Sequence, residues 1–565
     1  MLNRRQRRFN INRQLLHGPL KALRPNPMAL SPKLRSTLLT GLLFVLLVLV
    51  LLIKIRTGFN FYDEGFAMFG PTRILAGDIP YKDFWAIYPP GQFYAVAAII
   101  QLFGPDLVNA RIYDTLIRIL IVIGCYLVAR RSASPRLALL SAVVITFLLA
   151  SAGFYSYAVF PAMGLGLWAI WAWLKYTDAG KAGYLRLAGA LLGIAMVIRW
   201  DIGAYGGLSV LVGAYGFLLY RSLNLTTSQH PPLRLSMIFA PLGPLANLYV
   251  PMLVIALTGY ALVGLQSGWK DLYEQVFYFP IALLHNVRWL PYPPLIPRDW
   301  IPDMDWLRFY FPLFTFAVTL VYLAISGIRK RATLDLGYFA VISLLIFGGL
   351  LFNQALSRYD MIHVTPASVL TFLLAAALGT RVTPTPKLPW LRFPTYGLLI
   401  CLTALYFPSA LKEQLSTLDH TPPWGCYSEL PKASCTAVSP DQQSAVQYIQ
   451  AHSAPGEAIF VGNQKHSSIF VSDIGFYYLA NRPSASRYHE LYPSVATTLP
   501  VQQFIANELE SKKVRWLVLA KIWDSSEPND SALDSGVVYL DEYIRMNYSA
   551  TAEFGMYKIL RRDSN

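Results

Sequence analysis

The sequence predicts a multi-span α-helical membrane protein of about eleven spans, followed by a C-terminal α/β soluble domain. Three observations predict it. The 565 residues are 55% hydrophobic and only 14% charged, with mean hydropathy +0.40, whereas a soluble chain of this size carries about 25% charge. Apolar runs recur from Leu38 to Pro408. After Pro408 charges return, and residues 409–565 are enough chain for a domain of their own.

The N-terminal arm, residues 1–37, holds nine Lys/Arg and no Asp or Glu directly before the first apolar run. That is the positive-inside signal of a cytoplasmic N-terminus. The net charge of +16 is therefore read as topology and lipid-headgroup contact, not nucleic-acid binding. Leu38–Ile53 has no small-residue cleavage site after it and reads as a retained anchor rather than a signal peptide.

The membrane part is 38–408. Its spans fall near 38–54, 111–129, 137–157, 160–175, 186–199, 203–220, 237–263, 309–327, 336–352, 364–379 and 393–408. This threading puts every basic cluster on one side: Arg130/Arg131, Lys175/Lys181/Arg186, Arg221/Arg234, Arg329/Lys330/Arg331 and Arg381/Lys387/Arg392. An odd number of spans places 409–565 outside the cytoplasm. Residues 55–110 form a long outer loop, in which Gly91–Gly104 is apolar but short for a span and reads as an interfacial helix. Of the fifteen Asp/Glu before Pro408, thirteen fall in or beside outward segments, and only Asp178 and Asp335 fall inside. A transporter places charge at mid-membrane along its path; acids gathered on one face suit a one-sided site.

The last domain reads as α/β. Asp441–His452, Val501–Glu510 and Leu540–Met546 carry helical patterns, and Ala458–Gly462, Trp516–Ala520 and Met556–Leu560 carry strand patterns. It contains no nucleotide-binding glycine loop. Cys426 and Cys435 form a disulfide if this domain faces an oxidising compartment. Cys125 and Cys401 lie in apolar runs and read as packing residues.

The sharpest motif follows the first span: Phe61-Tyr62-Asp63-Glu64-Gly65, then Gly77-Asp78-Ile79-Pro80-Tyr81-Lys82-Asp83, then Tyr88-Pro89-Pro90. It sets an acidic pair near the outer membrane surface, followed by aromatics and a rigid Pro-Pro turn. A carboxylate held there can take the proton of an attacking hydroxyl. A solvated loop with an aromatic belt explains the same composition.

The order of these pieces resembles the type-C glycosyltransferases, the branch of protein O-mannosyltransferases and lipid A aminoarabinose transferases. In that family an Asp-Glu pair after the first span is followed by Gly-x-x-Pro-Tyr and a Pro-Pro segment, here Asp63-Glu64, Gly77–Tyr81 and Pro89-Pro90; Phe103-Gly104 and Ala110-Arg111 also look like the family. The resemblance implies a polyprenyl-phosphate-linked sugar donor and inverting transfer to a hydroxyl of a lipid, glycan or protein acceptor. It makes Asp63 and Glu64 the catalytic candidates, with Asp63 as general base. The leaving phosphate departs as an anion, so cations rather than a general acid must meet it. Aminoarabinose transferases also carry acids just before the Pro-Pro segment and at the outer end of the third span. Here Ile87-Tyr88 and Tyr157–Pro161 stand in those places.

Substrate-binding candidates are Lys82, Asp83 and Tyr88 in the same loop, and three further outward constellations. Arg199 and Asp201 either pair structurally or line the donor site. Arg358, Asp360 and His363 bind phosphate or sugar, cap a helix, or hold a metal. Arg288, in the long loop Gln266–Trp306, is a secondary phosphate candidate, and that loop reads as a lid. Arg487-Tyr488 and Glu527-Pro528-Asn529 read as structural. No cofactor is required and no metal ligand is assigned, with a divalent ion left open. The expected partners are the lipid-linked donor, the acceptor and membrane lipids, with no nucleic acid, and the expected location is a bacterial inner (plasma) membrane with an extracytoplasmic site. The competing readings are a transporter or lipid flippase, and a non-catalytic envelope-assembly scaffold.

Overall fold

The computed structural model describes residues 32–153, 155–225, 235–297, 303–329, 334–381 and 392–563. The basic arm up to residue 31, and Arg234, Lys330, Arg331, Lys387 and Asp299, lie outside the described residues. Met1–Leu47 separates as one unit, and the chain from Val48 onward forms a second.

The helices follow the apolar runs. They are α1 (Pro32–Leu52), α2 (Asp63–Leu75), α3 (Pro90–Phe103), α4 (Leu107–Ala129), α5 (Pro135–Ser151), α6 (Val159–Ala179), α7 (Ala182–Ile198), α8 (Trp200–Leu225), α9 (Leu235–Phe239), α10 (Leu242–Ser267) and α11 (Trp269–Tyr273). A wide π-helical stretch, Glu274–Leu283, leads into α12 (Leu284–Arg288). Then come α13 (Met304–Arg329), α14 (Leu336–Leu351), α15 (Asn353–Ser357), α16 (Met361–Arg381) and α17 (Arg392–His420). Ten of the eleven expected spans overlap one helix each, and the eleventh, 237–263, crosses the break between α9 and α10. Among the described residues, six apolar segments are long and apolar enough to cross a membrane: Leu107–Ala129, Trp200–Leu223, Ser236–Ser267, Met304–Arg329, Leu336–Ser357 and Met361–Arg381. Thr40–Leu52, Pro90–Phe103, Pro135–Ser151 and Ala182–Ile198 are apolar but shorter.

Small residues set the contact between α7 and α10. A Cβ on Gly189 or Gly193 of α7 would meet the backbone carbonyls of Leu248 and Met252 on α10, at 2.0 and 2.7 Å. The four-residue spacing lets the two backbones approach, as small residues do between helices in lipid, where dispersion rather than hydrophobicity drives packing.

The ends of the bundle sort by charge. Asp178, at the end of α6, pairs with Arg131 after α4, and Asp335, before α14, pairs with Arg381 at the end of α16. So the two acids expected inside meet arginines expected on the same side. One pair departs from the edge placement of the acids: Asp114 and Arg118 are buried inside α4, 2.6 Å apart. Asp114 also accepts from the Ser156 amide at 3.0 Å, and Arg118 donates to the carbonyls of Leu149 and Ala152. A buried pair with its remaining valences filled in this way ties helix ends together.

The helix α17 runs through Pro408 to His420. Beyond it stand α18 (Pro440–His452), β1 (Ile459–Asn463), α19 (Gly475–Ala480), α20 (Leu499–Ser511), β2 (Trp516–Ala520), α21 (Tyr539–Asn547), β3 (Tyr548–Phe554) and β4 (Tyr557–Arg562). The sheet order is β1-β2-β4-β3, with β1 and β2 parallel and the rest antiparallel. The sequence patterns had no strand at β3, because its side chains are mostly exposed and its apolar alternation is weak. Cys426 and Cys435 are disulfide-bonded. Cys125 is buried, but Cys401 is exposed on the face of α17 rather than packed.

This C-terminal part shares a core with the first outer loop. Met68 and Phe69 of α2 and Val96 and Ile100 of α3 pack in one cluster with Ile459, Phe476, Tyr477 and Trp516. The closest point is glycine on glycine. A Cβ on Gly65 would lie 2.3 Å from the Gly475 nitrogen, and the Gly475 amide donates to the Phe61 carbonyl at 2.7 Å. The first turn of α2, which carries Asp63, is thereby set against α19.

Candidate active site

The chain enters α2 through an Asx turn. Asn60 Oδ1 accepts from the amides of Tyr62 (3.0 Å) and Asp63 (2.9 Å), and Asn60 Nδ2 donates to Asp63 Oδ2 at 3.0 Å. Two amides at the helix start, where no intrahelical acceptor exists, are thus satisfied, and the Asp63 carboxylate is fixed at the positive end of the helix.

Asp63 opens onto a cleft between the outer loop, the start of α6 and the C-terminal part. Its walls are largely aromatic: Tyr62, Phe66, Tyr88, Phe93, Tyr155 and Tyr157. Phe66 holds the rings of Tyr88 and Phe93 at centroid distances of 5.1 Å. Burial in this apolar frame pushes the Asp63 carboxyl up to about 6, against the Asn60 hydrogen bond and the charges of Arg288, His363 and Arg358, which pull it down. The result is a proton acceptor poised near neutrality with cations close by.

Glu64, expected to act beside Asp63, has another position. Both of its oxygens are taken by Arg111, Nε to Oε1 and Nη2 to Oε2, each at 2.7 Å. Glu64 is 3% exposed and Arg111 fully buried. Arg111 also donates to the carbonyls of Ile55, Thr57 and Gly58. Glu64 faces away from the cleft and fastens the start of the outer loop to α4.

Two other loop candidates also stand outside the cleft. Lys82 is exposed. Asp83 accepts from the Ile79 amide at 2.7 Å and closes the turn around Pro80-Tyr81. Tyr88 does line the cleft.

The three distant constellations converge around it. Arg199 lies over the Tyr88 ring, 5.7 Å from its centroid, and pairs with Asp201 at 3.0 Å; Gln354 bridges the two, at 3.2 and 3.0 Å. His363 Nδ1 meets Asp360 at 2.7 Å, and its Nε2 faces the Tyr157 hydroxyl at 3.5 Å. Arg358 forks onto Glu527 at 2.9 and 2.6 Å and touches Asp360 at 3.1 Å. Burial alone would raise the Asp360 carboxyl, but His363 and Arg358 hold it below its ordinary value.

Arg288 differs from these. It donates to the hydroxyls of Tyr492 (3.2 Å) and Tyr62 (3.3 Å) and to the Phe470 carbonyl (3.0 Å), with no carboxylate in its grip. Three rings, those of Tyr62, Phe470 and Tyr492, surround its guanidinium. Its charge is held beside the cleft without being neutralised by contact. Among the described residues no group of three or more His, Cys, Asp or Glu is placed to hold a metal ion.

Sequence reasoning missed the contribution of the C-terminal part. Glu490 lines the cleft with Asp63, and Tyr492 and Phe470 carry Arg288. The only signal was the Arg487-Tyr488 stretch just before Glu490. Arg487 Nη2 in fact bridges to Asp271 at 2.8 Å and so pins this segment to α11.

In fold the chain is similar to ArnT from Cupriavidus metallidurans. The apo structure is 13% identical over 93% of this chain and 98% of that one, with a TM-score of 0.53. The structure bound to undecaprenyl phosphate gives 13%, 94%, 98% and 0.51. The fold of ArnT is thus shared over nearly the whole chain. Residues 88–242 match the family described as dolichyl-phosphate-mannose-protein mannosyltransferase, a match that begins at Tyr88-Pro89-Pro90 and ends at the first residue of α10. The archaeal oligosaccharyltransferase AglB from Archaeoglobus fulgidus, in complex with an inhibitory peptide and a dolichol-phosphate, is 12% identical over 86% of this chain and 70% of its own, with a TM-score of 0.47. No curated protein sequence matches the chain. The likeness to ArnT covers both the helical bundle and the C-terminal sheet, and the cleft is formed where the two meet.

Proposed function

We propose that the protein transfers a hexosyl or pentosyl group from a polyprenyl-phosphate donor to an acceptor hydroxyl, with inversion. The single observation that carries the reading is Asp63, a carboxylate with raised proton affinity, fixed at a helix start in an aromatic cleft. Asp63 takes the proton of the acceptor hydroxyl as its oxygen attacks the anomeric carbon. The bond from that carbon to the phosphate oxygen breaks, and the electron pair leaves with the polyprenyl phosphate. Arg288 meets this developing charge. Arg358 and Arg199 are less suited to this role because they already grip carboxylates. The likeness of the fold to ArnT bound to undecaprenyl phosphate supports a lipid phosphate as the carrier. No cofactor takes part in these steps.

The same reading threads all eleven expected spans through the plasma membrane of a bacterium, with the N-terminus cytoplasmic. Residues 409–565 then form an extracytoplasmic domain, and the Cys426–Cys435 disulfide accords with that side. The paired ends Arg131–Asp178 and Asp335–Arg381 support one cytoplasmic face, and the gathering of Asp63, Arg288 and His363 supports the opposite, active one.

The test uses membranes containing the wild-type protein or Asp63→Asn at equal expression, a panel of radiolabelled polyprenyl-phosphate hexoses and pentoses, and native acceptor-rich membranes. Transfer from one donor, lost in Asp63→Asn, is the expected result. No transfer from any donor would overturn the reading.

A further inference from the structure

The cleft holds a second carboxyl that the proposed transfer step does not use. Glu490 comes from the segment between α19 and α20, more than four hundred residues from Asp63 in the chain, and is 2% exposed. Its Oε1 accepts from the Tyr62 hydroxyl at 2.8 Å. Its Oε2 is buried and has no hydrogen-bond partner. A buried carboxyl oxygen left without a donor is costly to keep. Such an atom on the wall of a substrate cleft is satisfied when substrate brings the donor.

The surroundings narrow what that donor is. Arg288 sits on the far side of the Tyr62 hydroxyl, donating to it at 3.3 Å, so Tyr62 links the cation to Glu490 without closing an ion pair. Asp63, the next residue after Tyr62, excludes a second anion from this corner. Apart from Gln92, Ser156 and two alanines, the remaining walls are aromatic faces, suited to the apolar C–H faces of a sugar ring. A sugar on such faces presents its hydroxyls edgewise, each a donor for a carboxyl oxygen. Burial raises the Glu490 carboxyl to about 7, with Asp63 adding to the rise and Tyr62 and Arg288 opposing it. This agrees with a partner that is a neutral hydroxyl rather than a cation.

We infer that Glu490 is a sugar-reading residue of the cleft: its free Oε2 accepts a hydrogen bond from one ring hydroxyl of the transferred sugar, so that the C-terminal domain sets donor specificity. The inference rests on the glycosyl-transfer reading above and goes beyond it by assigning a specificity group to the domain after α17. Tyr62 orients the carboxyl, and Arg487, through Asp271, holds the segment in place.

The experiment takes the polyprenyl-phosphate sugar that the wild-type protein uses and compares it with its monodeoxy analogues, one for each ring hydroxyl, in wild type, Glu490→Ala and Glu490→Gln. The ratio of kcat/KM for parent over analogue is independent of how much variant folds. In wild type, one analogue is expected to fall about 10- to 100-fold behind the parent, the loss of one hydrogen bond to a carboxyl. In Glu490→Ala that ratio falls to near one while the other analogues keep theirs, and Glu490→Gln keeps part of it. Unchanged discrimination in Glu490→Ala, or a wild type indifferent to every deoxy position, overturns the inference and leaves the transfer reading standing. A wild type that uses no donor overturns the transfer reading itself, and the inference with it.

Discussion

The Asp63 cleft and the network around Arg358 both gather acids and arginines at the same end of the helical bundle, yet they are built in opposite ways. Arg358 has its guanidinium filled by Glu527, Asp360 and the Arg288 carbonyl, and Asn529 in turn binds Glu527 and the Trp289 carbonyl. In the cleft, Asp63 has one side-chain donor, Asn60; Glu490 has an oxygen with none; Arg288 has no carboxylate. Groups with their valences filled locally hold a structure together. Groups kept unfilled at the cost of burial are reserved for something that arrives.

The sharpest way to break this comparison is at Asp63 itself. Asp63→Asn keeps the volume and removes the base, so the transfer rate is expected to fall about 10²- to 10⁴-fold, the range for a positioned general base, with unfolding temperature unchanged. Radiolabel transfer and a thermal melt on the same preparation check it. A rate within about threefold of wild type would move the base to another group. Its neighbour is expected to show the reverse. Glu64→Gln leaves the Arg111 guanidinium buried beside a neutral amide, which costs about 3–5 kcal/mol of stability. The expected outcome is a much lower melting temperature, with kcat per folded molecule near wild type. A large kcat defect in protein that melts normally would return Glu64 to the chemistry.

These two residues also mark how far the sequence is legible. Asp63-Glu64 stood out as an acidic pair in an apolar chain, and the helices followed the apolar runs closely, because span length and the positive-inside pattern are local properties. What distinguishes the two acids is not local. Glu64 is claimed by Arg111 of α4, forty-seven positions on, and nothing in the spacing states that. Lys82 and Asp83 failed to reach the cleft for a similar reason: the turn at Ile79–Asp83 uses the carboxylate for its own amide. The wall supplied by Glu490 was invisible, since it depends on Gly65 meeting Gly475 backbone to backbone. The Asp114–Arg118 pair was hidden too, because a charge two turns inside α4 is tolerated only once Ser156 and the carbonyls of α5 close around it.

The two arginines sharpen the comparison further. Arg288→Ala removes the cation that no carboxylate neutralises, and kcat is expected to fall about 10²- to 10³-fold, as when one donor to a developing oxyanion is lost. Arg358→Ala instead strands Glu527 and Asp360, so its main effect is expected in stability, of about 1–3 kcal/mol for lost charged hydrogen bonds. Single-turnover transfer beside thermal melts separates them. Equal kcat losses in both, with equal melts, would make the two cations one phosphate site and erase the distinction drawn here.

The smallest effect is graded rather than all-or-none, and it tests whether burial tunes Asp63 as the geometry states. A carboxyl raised to about 6 is protonated, and useless as a base, below that pH. In kcat/KM the rate is therefore expected to be flat above about pH 7 and to fall about tenfold per pH unit below about 6. An ordinary carboxylate would keep the rate flat down to about 4. The cations near Asp63 supply a control. They pull its proton affinity down, so removing the Arg288 charge should move the acid limb to higher pH, whereas Glu490→Gln, at a carboxyl that burial keeps mostly protonated below about 7, should leave it in place. A limb that rises in the first variant and holds in the second would show that the proton lost in the acid limb belongs to Asp63 in this cleft. A limb that stays fixed without the Arg288 charge would assign it to the acceptor or to a step other than proton transfer.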